Sequence, residues 1–282
     1  MQAATEAGAR WCYGRRLVTC EREKDARWKL TVKAPDGIET YRSRFVVDAT
    51  GRSARVAASL GARRVIYDRL IGVAAMFRGV SVYDVAASEE EDSFTLVEAV
   101  YGGWWYSSLL PGGKLIAVYM TDGDLIDHAA LRQTGKWLAL LNRTSYTLER
   151  VRKYGGDITN PPHILPAHTV RLTAVTGDGW LAAGDSAVAF DPLASHDISM
   201  AMGSGFHAAA AIVDYLSGNN GALRVYEQLI DRAFALYLLM HHDAYLHEQR
   251  WRDQLFWRRR HAPASGANQL HLRTHDTRIT SA

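Results

Sequence analysis

The residues best suited to chemistry lie in WLAAGDSAVAFDPL, Trp180 to Leu193, where an apolar run stops at Gly184-Asp185-Ser186 and resumes before Pro192. A short apolar run halted by glycine and a carboxylate reads as a buried strand, Trp180 to Ala183, delivering polar groups to a ligand at its carboxyl end. The carboxylate of Asp185 suits the hydroxyls of a sugar-like group, and the helix that follows offers free backbone N–H groups to an anion. The same strand, turn and helix also occur in α/β proteins that bind nothing, so this stretch alone leaves both readings open.

A second stretch stands upstream, at Arg44-Phe45-Val46-Val47-Asp48-Ala49-Thr50-Gly51-Arg52-Ser53. It reads as a strand, Phe45 to Asp48, ending in a glycine that lets a dinucleotide pass close to the backbone. Taken with WLAAGDSAVAFDPLASHDISMAMGSGFHAAAAI at 180–212, this ordered pair of motifs resembles the flavin-binding motifs of FAD-dependent monooxygenases of the aromatic hydroxylase and tryptophan halogenase superfamily. The resemblance continues through Gly103-Trp104-Trp105-Tyr106-Ser107, Leu110-Pro111-Gly112-Gly113 and Met120-Thr121-Asp122, and at the C-terminal end through Glu248 to Trp251 and Phe256 to Arg260. Within the superfamily it points to a bacterial branch of halogenase-like oxidoreductases and of flavoproteins that mature tryptophylquinones.

The resemblance implies that Gly184, Asp185 and Ser186 hold the ribityl or ribose part of FAD. It places Pro192, His196, Asp197 and Ile198 against the flavin ring, and Thr50, Gly51 and Arg52 along the dinucleotide. It implies an α/β fold: an incomplete FAD-binding Rossmann-like domain, an inserted mostly antiparallel sheet forming a substrate domain, and a C-terminal helical segment. The corresponding division is 1–62 for the partial FAD-binding domain, 63–170 for the substrate sheet, 171–217 for the Gly-Asp motif and its helix, 218–262 for C-terminal helices and 263–282 for a tail.

Composition bounds the function class. The chain has 282 residues, 48% of them hydrophobic, enough for one large or two modest cores. A formal charge of +3 from 33 basic and 30 acidic residues gives no ground for nucleic-acid binding. No apolar run reaches a membrane-span length and the first residues lack a signal peptide's basic and apolar regions, so a cytoplasmic protein with no membrane partner is expected. Cys12 and Cys20 have no metal-ligand spacing and read as free thiols.

The elements that must position the motifs are legible in outline. Strands are expected at Arg10–Tyr13, Arg16–Cys20, Trp28–Val32, Glu39–Arg42 and Phe45–Asp48, with a turn at Ala34-Pro35-Asp36-Gly37 and a helix at Arg52–Leu60. Sheet-like spacing runs from Val65 to Met120, broken by the acidic run Glu89–Asp92, which reads as a solvated loop. Helical patterns fall at Leu125–Leu131, Gly135–Leu141, Tyr146–Lys153, about Ile198–Ser217 and Leu223–Arg260, the last with core-facing tryptophans and solvated arginines.

Gly203-Ser204-Gly205-Phe206-His207-Ala208 spells a dinucleotide fingerprint, but no strand leads into it; small residues for close helix packing are the better reading. No other such fingerprint is present, and the resemblance implies that the chain lacks the family's N-terminal unit, leaving exposed edges, exposed apolar surface and weakened FAD binding. The family's usual glycine is replaced by Asp197, whose charge would oppose that of a reduced flavin by about 4 kcal/mol at 4 Å and an effective dielectric of 20; the other reading is that Asp197 turns back to cap its own helix and occupies the anion site itself.

Catalysis in this superfamily belongs to the flavin, so no triad or metal is expected and no catalytic residue is assigned. The resemblance implies a flavoprotein monooxygenase, truncated and impaired, acting on an aromatic or indole-type substrate, either a small molecule or peptide-borne. Electrons would come from NAD(P)H or a separate flavin reductase. Trp104, Trp105 and Tyr106 are candidates for an aromatic substrate pocket, with packing in a sheet core as the other reading. The halogenase signature Trp-x-Trp-x-Ile-Pro is matched only at Trp104, which favours oxygenation over the alternatives of a halogenase-like enzyme or a non-catalytic remnant.

Overall fold

A computed structural model describes residues 2–79, 94–219 and 221–262. The acidic run at 89–92 and the tail at 263–282 lie outside the described residues. The chain divides into two compact units, one of residues 1–64, 172–188 and 199–230, the other of residues 65–171, 189–198 and 231–282.

In the first unit, strands Arg16–Arg22, Trp28–Ala34 and Gly37–Ser43 form an antiparallel sheet in sequence order. The expected turn closes the second hairpin in two residues, Pro35-Asp36, with Ala34 opposite Gly37 and Gly37 at φ +140°. Arg10–Tyr13 is not a strand: it joins no β-ladder among the described residues, and β-propensity without a ladder partner does not hold extended chain. A separate small sheet joins Thr176–Gly177, Trp180–Ala182 and Val46–Asp48, the last two running parallel. The buried Trp28 ties the two sheets together by donating its indole N–H to the Gly179 carbonyl at 2.8 Å.

The long helix is Asp197–Leu216. Within the first unit its outer face leaves Met202, Phe206 and Val213 exposed, Phe206 by 74%.

The second unit is built on an antiparallel sheet in which Leu70–Gly79 and Lys114–Asp122 lie centrally, with Gly103–Leu110 and Leu96–Val100 to one side and Gly155–Ile158 and His163–Pro166 pairing to the other. The period of two sends Val73, Ala75, Phe77, Trp105, Leu115, Ala117 and Tyr119 to one face, where helices Thr134–Leu141 and Tyr146–Tyr154 cover them with Trp137, Leu141 and Val151. Leu70, Trp104, Val118 and Met120 take the other face, under Tyr245, Phe256 and Trp257. Gly103 is required between the strands, since a Cβ there would lie 2.0 Å from the Met120 carbonyl oxygen.

The C-terminal segment is interrupted: helices Ala222–Leu246 and Leu255–His261 flank a non-helical stretch. Its arginines are not all solvated. Phe256, Trp257 and Arg260 share one side of the last helix, so Arg260 is carried inward with the aromatics; its guanidinium stacks 3.7 Å from the Phe256 ring centroid and donates to Asp122 at 2.7 Å. Arg259 bridges Asp122 at 2.7 Å and Asp124 at 2.8 Å, holding the Asp124 carboxyl well below the usual carboxylate range. Asp122 is 1% exposed and Asp124 lies at the surface, so loss of charge should matter unequally. Asp122→Asn leaves buried Arg260 without its counter-charge and is expected to lower the unfolding free energy by about 3–5 kcal/mol, against less than about 1 kcal/mol for Asp124→Asn, both read from urea denaturation.

Candidate functional site

The first part of the site is made where two parallel strands end together. Val46 pairs with Trp180, Val47 with Leu181 and Asp48 with Ala182, so the chain after Asp48 and the chain after Ala182 leave the sheet side by side. Each then turns through a left-handed glycine, Gly51 at φ +67° and Gly184 at φ +58°, into a short 3₁₀ turn. Ser186 Oγ donates to the Gly51 carbonyl at 3.2 Å and joins the two turns. Thr50, Gly51, Arg52, Gly184, Asp185 and Ser186 are thereby brought into one locus of the first unit.

Buried groups hold that locus from behind. Asp48 is fully buried; one carboxylate oxygen accepts from Thr50 N–H at 2.9 Å and Thr50 Oγ1 at 2.7 Å, and the other from Ala57 N–H at 2.8 Å. It therefore fastens the Thr50–Arg52 turn to the start of helix Arg55–Ser59. The Gly184 N–H donates to Ser204 Oγ at 2.9 Å, and Tyr226 donates its hydroxyl to the Ala182 carbonyl at 2.8 Å, with burial pushing the Tyr226 phenol up.

Ser204 gives the Gly-Ser-Gly stretch its meaning. A Cβ at Gly203 or Gly205 would meet nothing within 4 Å, so the close approach expected of the small residues belongs to Ser204 and to Ala201, which lies 3.4 Å from the Cβ position of Gly184. Asp48, Ser204 and Tyr226 were not singled out from the sequence as site residues. Only Asp48 carried a signal, an acid closing an apolar strand; Ser204 and Tyr226 lie on helices whose facing partners sequence spacing does not reveal.

Asp185 differs from these acids. It is half-buried, and no hydrogen bond or ion pair engages its carboxylate among the described residues. A carboxylate in that state, between two glycine turns, can accept hydrogen bonds from vicinal hydroxyls.

The remaining motif residues, Pro192, His196, Asp197 and Ile198, belong to the second unit. Asp191, again unmarked in the sequence reading apart from its place before a proline, organises them. It caps the Pro192–Ala194 turn by accepting from Leu193 N–H at 2.9 Å. Its other oxygen accepts from Tyr245 Oη at 2.8 Å and His241 Nε2 at 3.0 Å, and its own N–H donates to Tyr237 Oη at 3.0 Å. Trp104 Nε1 donates to Tyr245 Oη at 2.9 Å, linking the turn to the sheet. Burial, reinforced by the Asp191 charge, keeps Tyr237 and Tyr245 as phenols. Beyond the turn Ser195 is left-handed at φ +53°, His196 is exposed with Nδ1 against the Ala194 carbonyl, and Asp197 opens the long helix.

The aromatic trio divides. Trp104 and Tyr106 pack on the Tyr245 face of the sheet and Trp105 on the Trp137 face, because successive strand residues alternate. The three therefore do not line one pocket together. Trp104 and Trp105 are core residues, 2% and 1% exposed.

The fastening role of Asp48 is testable apart from any ligand. Asp48→Asn replaces an accepting oxygen by a donor facing N–H groups and is expected to lower the unfolding free energy by about 2–4 kcal/mol, whereas Ser186→Ala, removing one neutral bond, should change it by about 1 kcal/mol. Urea midpoints of the two variants check the ordering.

No protein-family model matches the chain. A curated protein named as FAD-dependent oxidoreductase LodB, from Marinomonas mediterranea, is 32% identical over 242 residues, covering 85% of this chain and 62% of LodB. The flavin-dependent halogenase CmlS superposes with a TM-score of 0.77 at 19% identity, over 97% of this chain and 50% of CmlS. The peptidyl tryptophan dihydroxylase QhpG, essential for tryptophylquinone cofactor biogenesis, superposes with a TM-score of 0.73 at 20% identity, over 92% of this chain and 56% of QhpG. The chain thus spans between half and two thirds of the length of these relatives. The chain is thus similar in sequence to an FAD-dependent oxidoreductase and shares the fold of the flavin-dependent halogenase CmlS and the dihydroxylase QhpG.

Proposed function

We propose that this chain carries the ribityl-binding part of an FAD-dependent oxidoreductase, a flavoprotein monooxygenase whose substrate is aromatic or indole-like. The observation that carries the reading is the half-buried, unengaged carboxylate of Asp185 between the turns at Gly51 and Gly184. The residues present fit the sugar-alcohol portion of the cofactor: an acceptor for hydroxyls at Asp185, held between two left-handed glycine turns.

FAD, when bound, supplies the redox and oxygen chemistry. The chain's own groups bind and orient it. Asp185 would accept from hydroxyls, Thr50–Arg52 would hold the dinucleotide, and the turn at Pro192–Ala194, held from behind by Asp191, sets the backbone that leads to His196 and Asp197. A carboxylate at Asp197 would disfavour flavin reduction if it came near the ring.

A peptide-borne tryptophan is the substrate that the likeness to a peptidyl tryptophan dihydroxylase supports, and electrons would come from a nicotinamide cofactor or a separate reductase. Halogenation is the second reading, supported by the likeness to CmlS but not by the Trp-Trp-Tyr-Ser spelling at Trp104.

Titration of the protein into FAD, followed by flavin fluorescence, tests the cofactor reading. Quenching is expected, with Asp185→Ala weakening binding by about tenfold or more and Asp197→Gly strengthening it, in line with 1.4 kcal/mol per decade. Absence of binding by the parent protein, or equal binding by Asp185→Ala, overturns the assignment.

A further inference from the structure

The helix Ala222–Leu246 carries Tyr237, His241 and Tyr245 four residues apart, so the three side chains share one face. All of them engage Asp191. Tyr237 Oη accepts from the Asp191 N–H at 3.0 Å, while Tyr245 Oη at 2.8 Å and His241 Nε2 at 3.0 Å donate to the same carboxylate oxygen, Oδ2. The imidazole sits between the two phenols, its ring centroid 5.4 Å from that of Tyr237 and 4.8 Å from that of Tyr245. Since a carboxylate only accepts, Nε2 is the nitrogen that carries the hydrogen.

Burial of Asp191 does not by itself call for the histidine. Leu193 N–H on Oδ1 and Tyr245 on Oδ2 already give each oxygen of this buried carboxylate a donor. An apolar side chain between the phenols would pack without the cost of desolvating an imidazole. What the third donor adds is direction: the peptide N–H and the carboxylate of Asp191 are both held on one helix face, so backbone and side chain cannot turn independently. The turn it caps is restricted further along as well, because Pro192 has a fixed φ. Ser195 is left-handed at φ +53°, a conformation that persists in a residue other than glycine where its surroundings over-determine it.

We propose that His241 is a positioning residue for the cofactor: acting through Asp191, it fixes the backbone from Pro192 to Ser195 in the orientation that meets the flavin ring. The inference rests on the reading that the Pro192 turn lies against that ring. It adds a residue of the C-terminal helix, outside every motif of the sequence, to the groups that set the cofactor's place.

Two amide side chains separate reach from polarity, since the glutamine nitrogen can stand where Nε2 stands and the shorter asparagine falls short of Asp191. Amide hydrogen exchange is measured first, on the protein without flavin. In His241→Asn, exchange at the Leu193 and Ser195 N–H groups is expected to rise by about tenfold or more, and in His241→Gln to stay near the parent rate. The Gly184 N–H, bonded to Ser204 in the first unit, should change in neither. With FAD added, His241→Asn is expected to bind about tenfold more weakly and to shift the visible absorption of the bound flavin, and His241→Gln to restore both. A side chain that only stabilised the fold would leave that absorption unmoved. Tyr245→Phe removes the neighbouring donor to the same oxygen and provides the same comparison should His241→Asn fail to fold by circular dichroism. Unchanged exchange in His241→Asn overturns the proposal, as does faster exchange with the parent's FAD affinity and absorption. If the parent protein binds no FAD, the cofactor reading falls and this inference with it. If the parent binds FAD and Asp185→Ala weakens binding while His241→Asn does not, the inference alone falls.

Discussion

The site depends on one pairing, the parallel alignment of Val46–Asp48 with Trp180–Ala182. Those strands are short and far apart in the chain, so their register carries an entropic cost that local propensity does not meet. Side chains and backbone behind the sheet offset it: Trp28 on Gly179, Tyr226 on Ala182, and Asp48 on Thr50 and Ala57. Once the strands are aligned, the two glycine turns have no freedom to separate, and Asp185 is left as the polar group facing outward.

Acids in this protein divide by what they meet. Asp48, Asp122 and Asp191 are almost fully buried, and each accepts from more than one donor. They join structure that packing alone would leave loose: a turn to a helix, a strand end to the last helix, and the Pro192 turn to the sheet through Tyr245 and Trp104. A buried carboxylate without those donors would cost several kcal/mol, which makes such residues strict about their surroundings. Asp185, half-buried, has no such donors among the described residues, and that contrast is what the proposed ligand role rests on.

The sheet of the second unit separates two roles by alternation. Trp104 reaches, through Tyr245, the acid that caps the Pro192 turn, while Trp105 turns to the opposite face and stacks on Tyr119. Adjacent tryptophans thus serve different surroundings.

Much of the fold was legible because its signals are local. Alternation across 65–120, the turn at Pro35-Asp36, the two glycine-terminated strands and the long helix all follow from spacing and turn chemistry within a few residues. Asp185 was legible for the same reason, as an acid next to a glycine at a strand end. Ser204, Tyr226, Asp191 and buried Arg260 were not, since their roles depend on which remote group faces them, and nothing in neighbouring residues encodes that. The trio Trp104, Trp105 and Tyr106 shows the limit from the other side: composition marked an aromatic cluster, and only the sheet decided that its members face apart. Sequence by itself determined which residues could do chemistry and which elements present them; tertiary structure decided which are engaged, because burial and partner geometry arise only when distant segments meet.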